Sequence, residues 1–498
     1  MAEKKEFDLI VIGSGPAGFA AATRALDFKM DVCIIEGKNL GGTGIVNGVL
    51  TSKTMYELSM DYAVAARVDR GYRAGTLAVN YNEVKKTIIQ AAKDKQYQML
   101  SEIETFSSDR SSKGSLTLIK GWAHFVDEHT VRVSGEDEVT LTARKFVIAT
   151  GSKPREYQGL DVDGERIITS DNILDLKEFP ERMLIIGSGI IGCEFATIFS
   201  NFKQTEVHLL DRSHRVIPYE DDDVSDFVSD SLEKNGVIIH HTATLREIKK
   251  HDDYLEVILD YENGYSKVFE VDVALIAIGR ELNTGGLGLE NIGIYTNRRG
   301  SLEINSDCTL RNDKNIRNIY AAGDVTGNIQ LYSIAEYQGR LAVERMETKT
   351  GVSPGYSHIS TLMFFKPEVA AVGANEKMLQ ARKIPYKVAY YSNKLVNRAI
   401  AMRNTNGFVK VLVSNDEKQN ILGMRAAGPQ ASSFIVAAAH LISLGVSLND
   451  ALKIFYPHPS LPEGIQECLR LLDNRSVYKP KAFPEYIYIR EWQPESEV

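Results

Sequence analysis

An α/β fold with two dinucleotide-binding units is predicted by three observations. A nearly continuous apolar run at 8–13 leads into the glycine turn Gly13-Ser14-Gly15-Pro16-Ala17-Gly18. The design recurs at Gly187-Ser188-Gly189-Ile190-Ile191-Gly192, behind a second apolar run. Three more apolar segments, 145–154, 273–282 and 318–328, also end in glycine turns. Such runs suit parallel strands covered on both faces, and their carboxyl ends face the crevice where ligands of open α/β sheets bind. Both units are therefore expected to be Rossmann-like.

In the first unit, residues 8–13 form the strand and a helical segment, FAAATRALDF, follows the turn. A second strand, DVCIIE, ends at Glu36, about twenty residues on. The first glycine permits the tight turn, the second lets backbone approach a pyrophosphate, and the third lets helix and strand pack closely. The helix N-terminus aims free N–H groups at phosphate, and Glu36 is placed to bond a ribose diol. A tight turn without a ligand is the plainer alternative. In the second unit EVHLLD ends at Asp211, so either two nucleotides bind or one unit has become structural. A carboxylate there bonds a free 2′-OH and repels a 2′-phosphate, which favours NAD(H) over NADP(H). Arg212 and Arg215 follow and could serve a phosphate or simply line a solvated loop. Asp324 ends the strand of 318–328, as a sugar anchor or a helix cap.

The chain has 498 residues, too long for one ordinary domain, so two to four are expected. It is 43% hydrophobic and 25% charged, a globular composition. A net charge of −8 gives no reason to expect nucleic acid or an anionic membrane as partner. The apolar run after MAEKKEFD is too short for a signal segment, and no stretch reaches about 18 apolar residues. Cys33, Cys193, Cys308 and Cys468 are far apart with no metal-ligand spacing, so no metal site is expected. A reduced, cytoplasmic protein without a disulfide framework is the expectation. The acidic run 220–223 precedes a helical pattern, where carboxylates at a helix N-terminus account for it.

These motifs stand in one order with GGT at 41–43, Ser52-Lys53, ATGS at 149–152, Gly192-Cys193-Glu194, AIGR at 277–280, AAGD at 321–324, FFKPEVAAVG at 364–373 and HPSLPE at 458–463. Over about 6–472 the sequence resembles the FAD-dependent pyridine nucleotide–disulfide oxidoreductases, which include dihydrolipoamide dehydrogenase, glutathione reductase and the soluble transhydrogenase. The resemblance implies an FAD domain at 1–152 and 283–350, an NAD(P) domain at 153–282 and a C-terminal α+β dimerisation domain at 351–475. A tail, 476–498, lies beyond it. Its proline- and aromatic-rich sequence would pack on its own subunit, wrap over a dimer or dock on a partner protein. A homodimer is implied, with the His-Pro segment of one subunit reaching the flavin site of the other.

By matching position, Gly13, Gly15, Gly18, Glu36, Gly42, Thr43, Ala123, Thr150, Gly151, Asp324 and Leu331 are implied to hold FAD. Gly187, Gly189, Gly192, Asp211 and Gly279 are implied to lie along the nicotinamide nucleotide. Lys53 and Glu194 match a catalytic ion pair beside the flavin, where a cation stabilises charge developing on the reduced ring. His458 and Glu463 match an acid–base dyad. The family's two redox cysteines fall on Gly44 and Val49, which cannot supply the thiolate that disulfide exchange requires. Space beside the ring is expected to open for a flat acceptor, or to be filled by neighbouring side chains. The dyad would protonate another acceptor or persist as a packed interface feature. Tyr456 and Ser433 also depart from the family pattern. The expected activity passes electrons from NAD(P)H through flavin to a quinone, a second nicotinamide nucleotide or a redox partner. The alternative is a catalytically weak flavoprotein that senses nucleotide as a scaffold in a complex.

Overall fold

The computed structural model describes residues 5–72, 75–107, 114–348 and 356–494. The chain divides into two compact units, Met1–Phe179 with Leu275–Ser353, and Pro180–Ala274 with Pro354–Val498. The domain edge expected at 350/351 lies outside the described residues, as do residues 495–498 of the tail.

In the first unit the strand Lys5–Ile12 pairs in parallel with Val32–Glu36 on one side and Val139–Ile148 on the other. Leu116–Lys120 extends the sheet beyond Val32–Glu36. The long strand Val139–Ile148 is shared: its first half pairs antiparallel with Thr130–Ser134, and its last residues pair in parallel with Ile319–Ala321. Leu9, Ile10, Val11, Val32, Ile34, Phe146 and Val147 are fully shielded, as expected for apolar runs covered on both faces. The helix Pro16–Asp27 offers Ala17, Ala21, Ala22 and Ala25 to the core, small enough to admit the helix Tyr332–Thr348 at short range. At Gly339 that approach is so close that a Cβ would lie 2.0 Å from the Ala17 carbonyl oxygen.

The second unit repeats the design with parallel strands Arg182–Ile186, Glu206–Leu210 and Ile238–His240, and with the helix Ile190–Phe202, buried from Gly192 onward. An antiparallel sheet follows, formed by Ala243–Lys250, Leu255–Tyr261 and Ser266–Val271. The rest of the unit is a six-stranded antiparallel sheet in the order Ser360–Met363, Val369–Gly373, Ile421–Ala427, Phe408–Ser414, Tyr386–Ser392, Ile487–Trp492. The helices Ala431–Ser443 and Glu463–Leu472 share its core. The sixth strand is the tail, so its apolar and aromatic residues go to its own chain: Ile487 is buried, Tyr488 stacks on Tyr390 at 4.7 Å and Trp492 on Tyr386 at 5.7 Å. Among the described residues no helix is long and apolar enough to cross a membrane.

The acidic run 220–223 does more than favour a helix N-terminus. Glu220 is buried against the Arg425 guanidinium at 2.7 Å. Asp221 and Asp223 join Glu376 around the ammonium of Lys410, at 2.9, 2.8 and 2.6 Å. Lys410 is wholly buried in the middle of the strand Phe408–Ser414. Only Asp222 keeps the exposed character expected of the run, with Arg215 and Lys377 beside it. The difference is non-local: the two basic partners lie about two hundred residues away in sequence, on the six-stranded antiparallel sheet. The tail closes the cage, with the Tyr488 hydroxyl donating to Asp223 at 2.7 Å and Arg490 bonding Glu376 at 2.8 Å. Burial alone would discharge Lys410, but Asp223, Asp221 and Glu376 outweigh it and hold its pKa above the usual lysine value. Burial likewise raises the Asp223 carboxyl, and Lys410, Tyr488 and Arg490 more than reverse it, leaving it below the usual range.

Replacing Lys410 by Met removes the cation shared by Asp221, Asp223 and Glu376, of which the last two keep a contact with Arg490, and should cost about 3–5 kcal/mol near neutral pH. In the native chain the depressed Asp223 stabilises above its unfolded pKa of about 4, and that contribution is lost as pH falls through the folded value. In K410M these carboxylates lose that cation, so the cost of burying them is relieved by protonation as pH falls. The gap in Tm between the two proteins should therefore narrow from about pH 7.5 to about pH 5 in thermal melts.

Candidate functional site

The first glycine turn is assembled by backbone contact. A Cβ at Gly18 would lie 1.9 Å from the Gly13 carbonyl oxygen, and one at Gly13 would lie 2.5 Å from that of Ala149. Gly15 instead faces open space. Tight third glycine and open second glycine are what a pyrophosphate under a helix N-terminus requires. Ser14 organises the rim. Its hydroxyl donates to Glu36 Oε2 at 2.6 Å, its N–H donates to the same oxygen at 2.9 Å, and its oxygen accepts the Gly41 N–H at 3.0 Å. This brings the 41–43 segment to the turn, where a Cβ at Gly42 would come within 3.3 Å of Gly15 Cα. Glu36 remains half-exposed, with Oε1 taking the Lys38 N–H.

Asp324 follows the parallel strand Ile319–Ala321, next to Gly323, which abuts Ala17. It accepts from the Ser152 hydroxyl at 2.5 Å, and Arg280 donates to Ser152 in turn. Thr150 exchanges two hydrogen bonds with Asn283 beside Gly151. Thr43, at the head of the helix Gly42–Ile45, and Leu331, just before Tyr332–Thr348, are half-buried. Ala123 is different: its methyl group is spent in the core, so only its backbone is available to a ligand. The half-exposed acid, the open glycine and the buried glycine together fit an adenine dinucleotide such as FAD.

The second turn repeats the geometry. A Cβ at Gly192 would lie 1.8 Å from the Gly187 oxygen, while Gly189 is open. Gly279, carried on the loop before Arg280–Leu282, is open as well. The acid differs from its counterpart. Asp211 is only 1% exposed, and its Oδ1 accepts from the Ser188 hydroxyl at 2.6 Å and the Ser213 N–H at 3.0 Å. His241 Nδ1 lies 3.0 Å from its other oxygen. Arg215 is tied to Asp226 at 2.6 Å, whereas Arg212 stays exposed. Glu194 is buried on the helix of this unit and accepts the Phe364 N–H at 3.1 Å. Lys53 belongs to the helix Val49–Ala65 of the first unit and is half-buried.

At Gly44 the space for a side chain is already filled: a Cβ would meet Pro16 at 2.8 Å and Tyr332 at 2.9 Å. Val49 is 41% exposed at the start of its helix. All four cysteines are buried thiols, each with its sulfur against a backbone carbonyl. Burial pushes the Cys308 thiol up to about 12 and raises those of Cys193 and Cys468 well above the usual cysteine value, so none of these three is a ready nucleophile. His458 and Glu463 do meet: Nδ1 lies 2.7 Å from Oε1, and Glu463 is fixed through its other oxygen by the Ser460 N–H. The His458 ring itself is exposed.

Sequence reasoning passed over Ser14, Ser188 and His241. The two serines carried a signal, since each is the middle residue of the same Gly-Ser-Gly in both turns. His241 carried none, because only folding sets it beside Asp211.

Two such loops, each with an acid at the carboxyl end of the next strand, define a protein built to hold two dinucleotides. The pyridine nucleotide-disulphide oxidoreductase family model matches residues 7–339, and the model for the dimerisation domain of the same family matches residues 359–469. The chain is 31% identical over 483 residues to the dihydrolipoyl dehydrogenase of Chlamydia trachomatis, covering 96% of this chain and 99% of that one. It is 33% identical over 433 residues to the soluble pyridine nucleotide transhydrogenase of Photobacterium profundum, covering 86% and 88%. Among solved structures, LpdA from Mycobacterium tuberculosis superposes with a TM-score of 0.83 at 24% identity, covering 94% of this chain and 99% of that one. The Cu(II) complex of RclA, an HOCl-induced flavoprotein disulfide reductase of Escherichia coli, gives 0.81 at 24% identity, covering 94% and 100%. The chain belongs to the pyridine nucleotide-disulphide oxidoreductase family, whose members bind FAD and NAD(P).

Gly192→Ala should lower stability by about 1–3 kcal/mol in denaturant titrations, because its methyl group has no space. Gly189→Ala should leave stability within about 0.5 kcal/mol while weakening nicotinamide nucleotide binding in calorimetry.

Proposed function

We propose that this chain oxidises NAD(P)H, with NADH preferred, and delivers the electrons directly to an acceptor other than a disulfide. The acceptor is a quinone, a second nicotinamide nucleotide or a redox partner. The observation that carries the proposal is the pairing of two complete dinucleotide loops with a filled, sulfur-free position 44. Bound FAD supplies a ring that takes a hydride from nicotinamide and gives up two electrons. Gly13, Gly15, Gly18, Glu36, Gly42, Thr43, Thr150, Gly151, Asp324, Leu331 and the Ala123 backbone are the residues we assign to holding it. Gly187, Gly189, Gly192, Asp211 and Gly279 are assigned to the nicotinamide nucleotide.

Lys53 and Glu194 keep the catalytic assignment made from the sequence, each within its own unit. Lys53 supplies a cation on the helix that begins at Val49, and Glu194 is an oriented, buried carboxylate. Glu463 holds the His458 imidazole through Nδ1, which leaves Nε2 to exchange a proton with the acceptor. A homodimer fits this role, with His458 serving the partner subunit. It is supported by the dimerisation-domain match and by bare apolar side chains there, Phe455 94% and Leu444 77% exposed.

Electron counting tests the reading. Anaerobic reduction should saturate at one two-electron equivalent per flavin. Uptake of a second equivalent would reveal another redox centre and overturn the direct route. Mixing with NADH should bleach the flavin absorbance, and failure of both NADH and NADPH to do so would favour the nucleotide-sensing scaffold instead.

His458→Gln should slow turnover with a proton-requiring acceptor by about a hundredfold or more and leave flavin reduction by NADH unchanged in stopped flow. An unchanged turnover would reduce the dyad to a packing feature.

A further inference from the structure

The second dinucleotide unit presents an imidazole where the first presents a carboxylate. Glu36 is half-exposed at its rim, whereas Asp211, one methylene shorter, is recessed to 1% exposure. The Asp211 oxygens are engaged by Ser188, the Ser213 N–H and His241. His241 reaches solvent, its side chain 32% exposed. It follows the strand Ile238–His240, whose parallel neighbour Glu206–Leu210 leads directly into Asp211. Both residues therefore stand at the carboxyl edge of the sheet, the edge that also carries the Gly187–Gly192 turn.

We propose that His241, rather than Asp211 itself, reads the 2′ substituent of the adenosine ribose, so that protonation of this imidazole moves the preference from NAD(H) towards NADP(H). The inference rests on the assignment of this turn to a nicotinamide nucleotide. An ionised carboxylate can only accept, so the His241 Nδ1 facing Asp211 carries a hydrogen. In the neutral ring Nε2 is then an acceptor, suited to a 2′-OH and repelled by a 2′-phosphate. In the protonated ring Nε2–H donates and brings a positive charge, which suits the phosphate. No partner is found for Nε2 among the described residues.

The groups acting on the ring agree with this. The hydrogen bond to Asp211 holds the His241 pKa above the usual histidine value against the opposing pull of burial. Glu233 and Asp226, on the helix Asp222–Lys234, act in the same direction as Asp211, and Asp226 is itself neutralised by Arg215. His240 does not compete for the proton, because burial, helped by His208, pushes it down to about 4. Arg212, exposed on the loop after Asp211, adds a positive charge.

The test is direct binding of NAD⁺ and NADP⁺ to the oxidised, flavin-loaded protein by calorimetry at about pH 6 and about pH 9, which bracket a raised histidine pKa. The native NADP⁺-to-NAD⁺ affinity ratio should be roughly tenfold higher at the lower pH. In His241→Asn the amide still reaches Asp211 but cannot titrate, and the ratio should change much less with pH. Asp211→Asn should move the native transition to lower pH, a shift that a purely structural histidine would not produce. An identical pH dependence in native protein and His241→Asn overturns the inference while nucleotide binding itself stands. Failure of either nucleotide to bind at any pH overturns both the inference and the assignment beneath it.

Discussion

Contact between backbone and backbone, at two glycines, is the constraint on which the remaining geometry depends. At Gly18 and Gly192 the first turn of a helix rests on the carbonyl of the loop that precedes it, with no room for a single carbon between them. That contact fixes how each helix leaves its strand and where its free N–H groups point. It also fixes the edge at which the acid of the following strand arrives. The middle glycines, 15 and 189, keep their space empty under the same regime. Close packing and an accessible backbone are thus two results of one arrangement, repeated in two units that are otherwise unlike.

The repetition shows how far a shared frame can diverge. Both turns use a serine as second residue, and in both its hydroxyl binds the acid at 2.6 Å. In the first unit the longer Glu36 still reaches the rim. In the second, Asp211 sinks out of solvent and a histidine takes the outer position. The same frame thus offers a carboxylate at one rim and an imidazole at the other. Position 44 shows divergence of another kind. The neighbourhood has closed over the missing side chain, with Pro16 and Tyr332 in its place. The packing around position 44 is thus set by a residue that has no side chain.

Much of the fold could be read from the chain because it is written locally. Apolar runs, glycine turns and an acid about twenty residues on are short-range features, and the strands Lys5–Ile12 and Arg182–Ile186 stand where those features place them. The His458–Glu463 contact was implied by the family resemblance, and the two residues lie five apart in the chain. What escaped was written at long range. Nothing near Asp221 announces that its partner is Lys410, and nothing near His241 announces Asp211. A buried lysine in a strand of seven buried residues looks, in sequence, like an ordinary outward-facing charge. The tail strand escaped likewise, because its pairing partner lies about a hundred residues upstream.

That last separation has a consequence for how the protein is made. The strand carrying Lys410 and the acids of its cage leave the ribosome well before Tyr488 and Arg490. At ~5–20 residues per second the interval is on the order of ten seconds. During it, the nascent sheet ends at Tyr386–Ser392, an open edge on which another strand could pair. Synthesis of this chain thus includes a window of exposure to strand-to-strand aggregation, and slow translation or crowded polysomes would widen it.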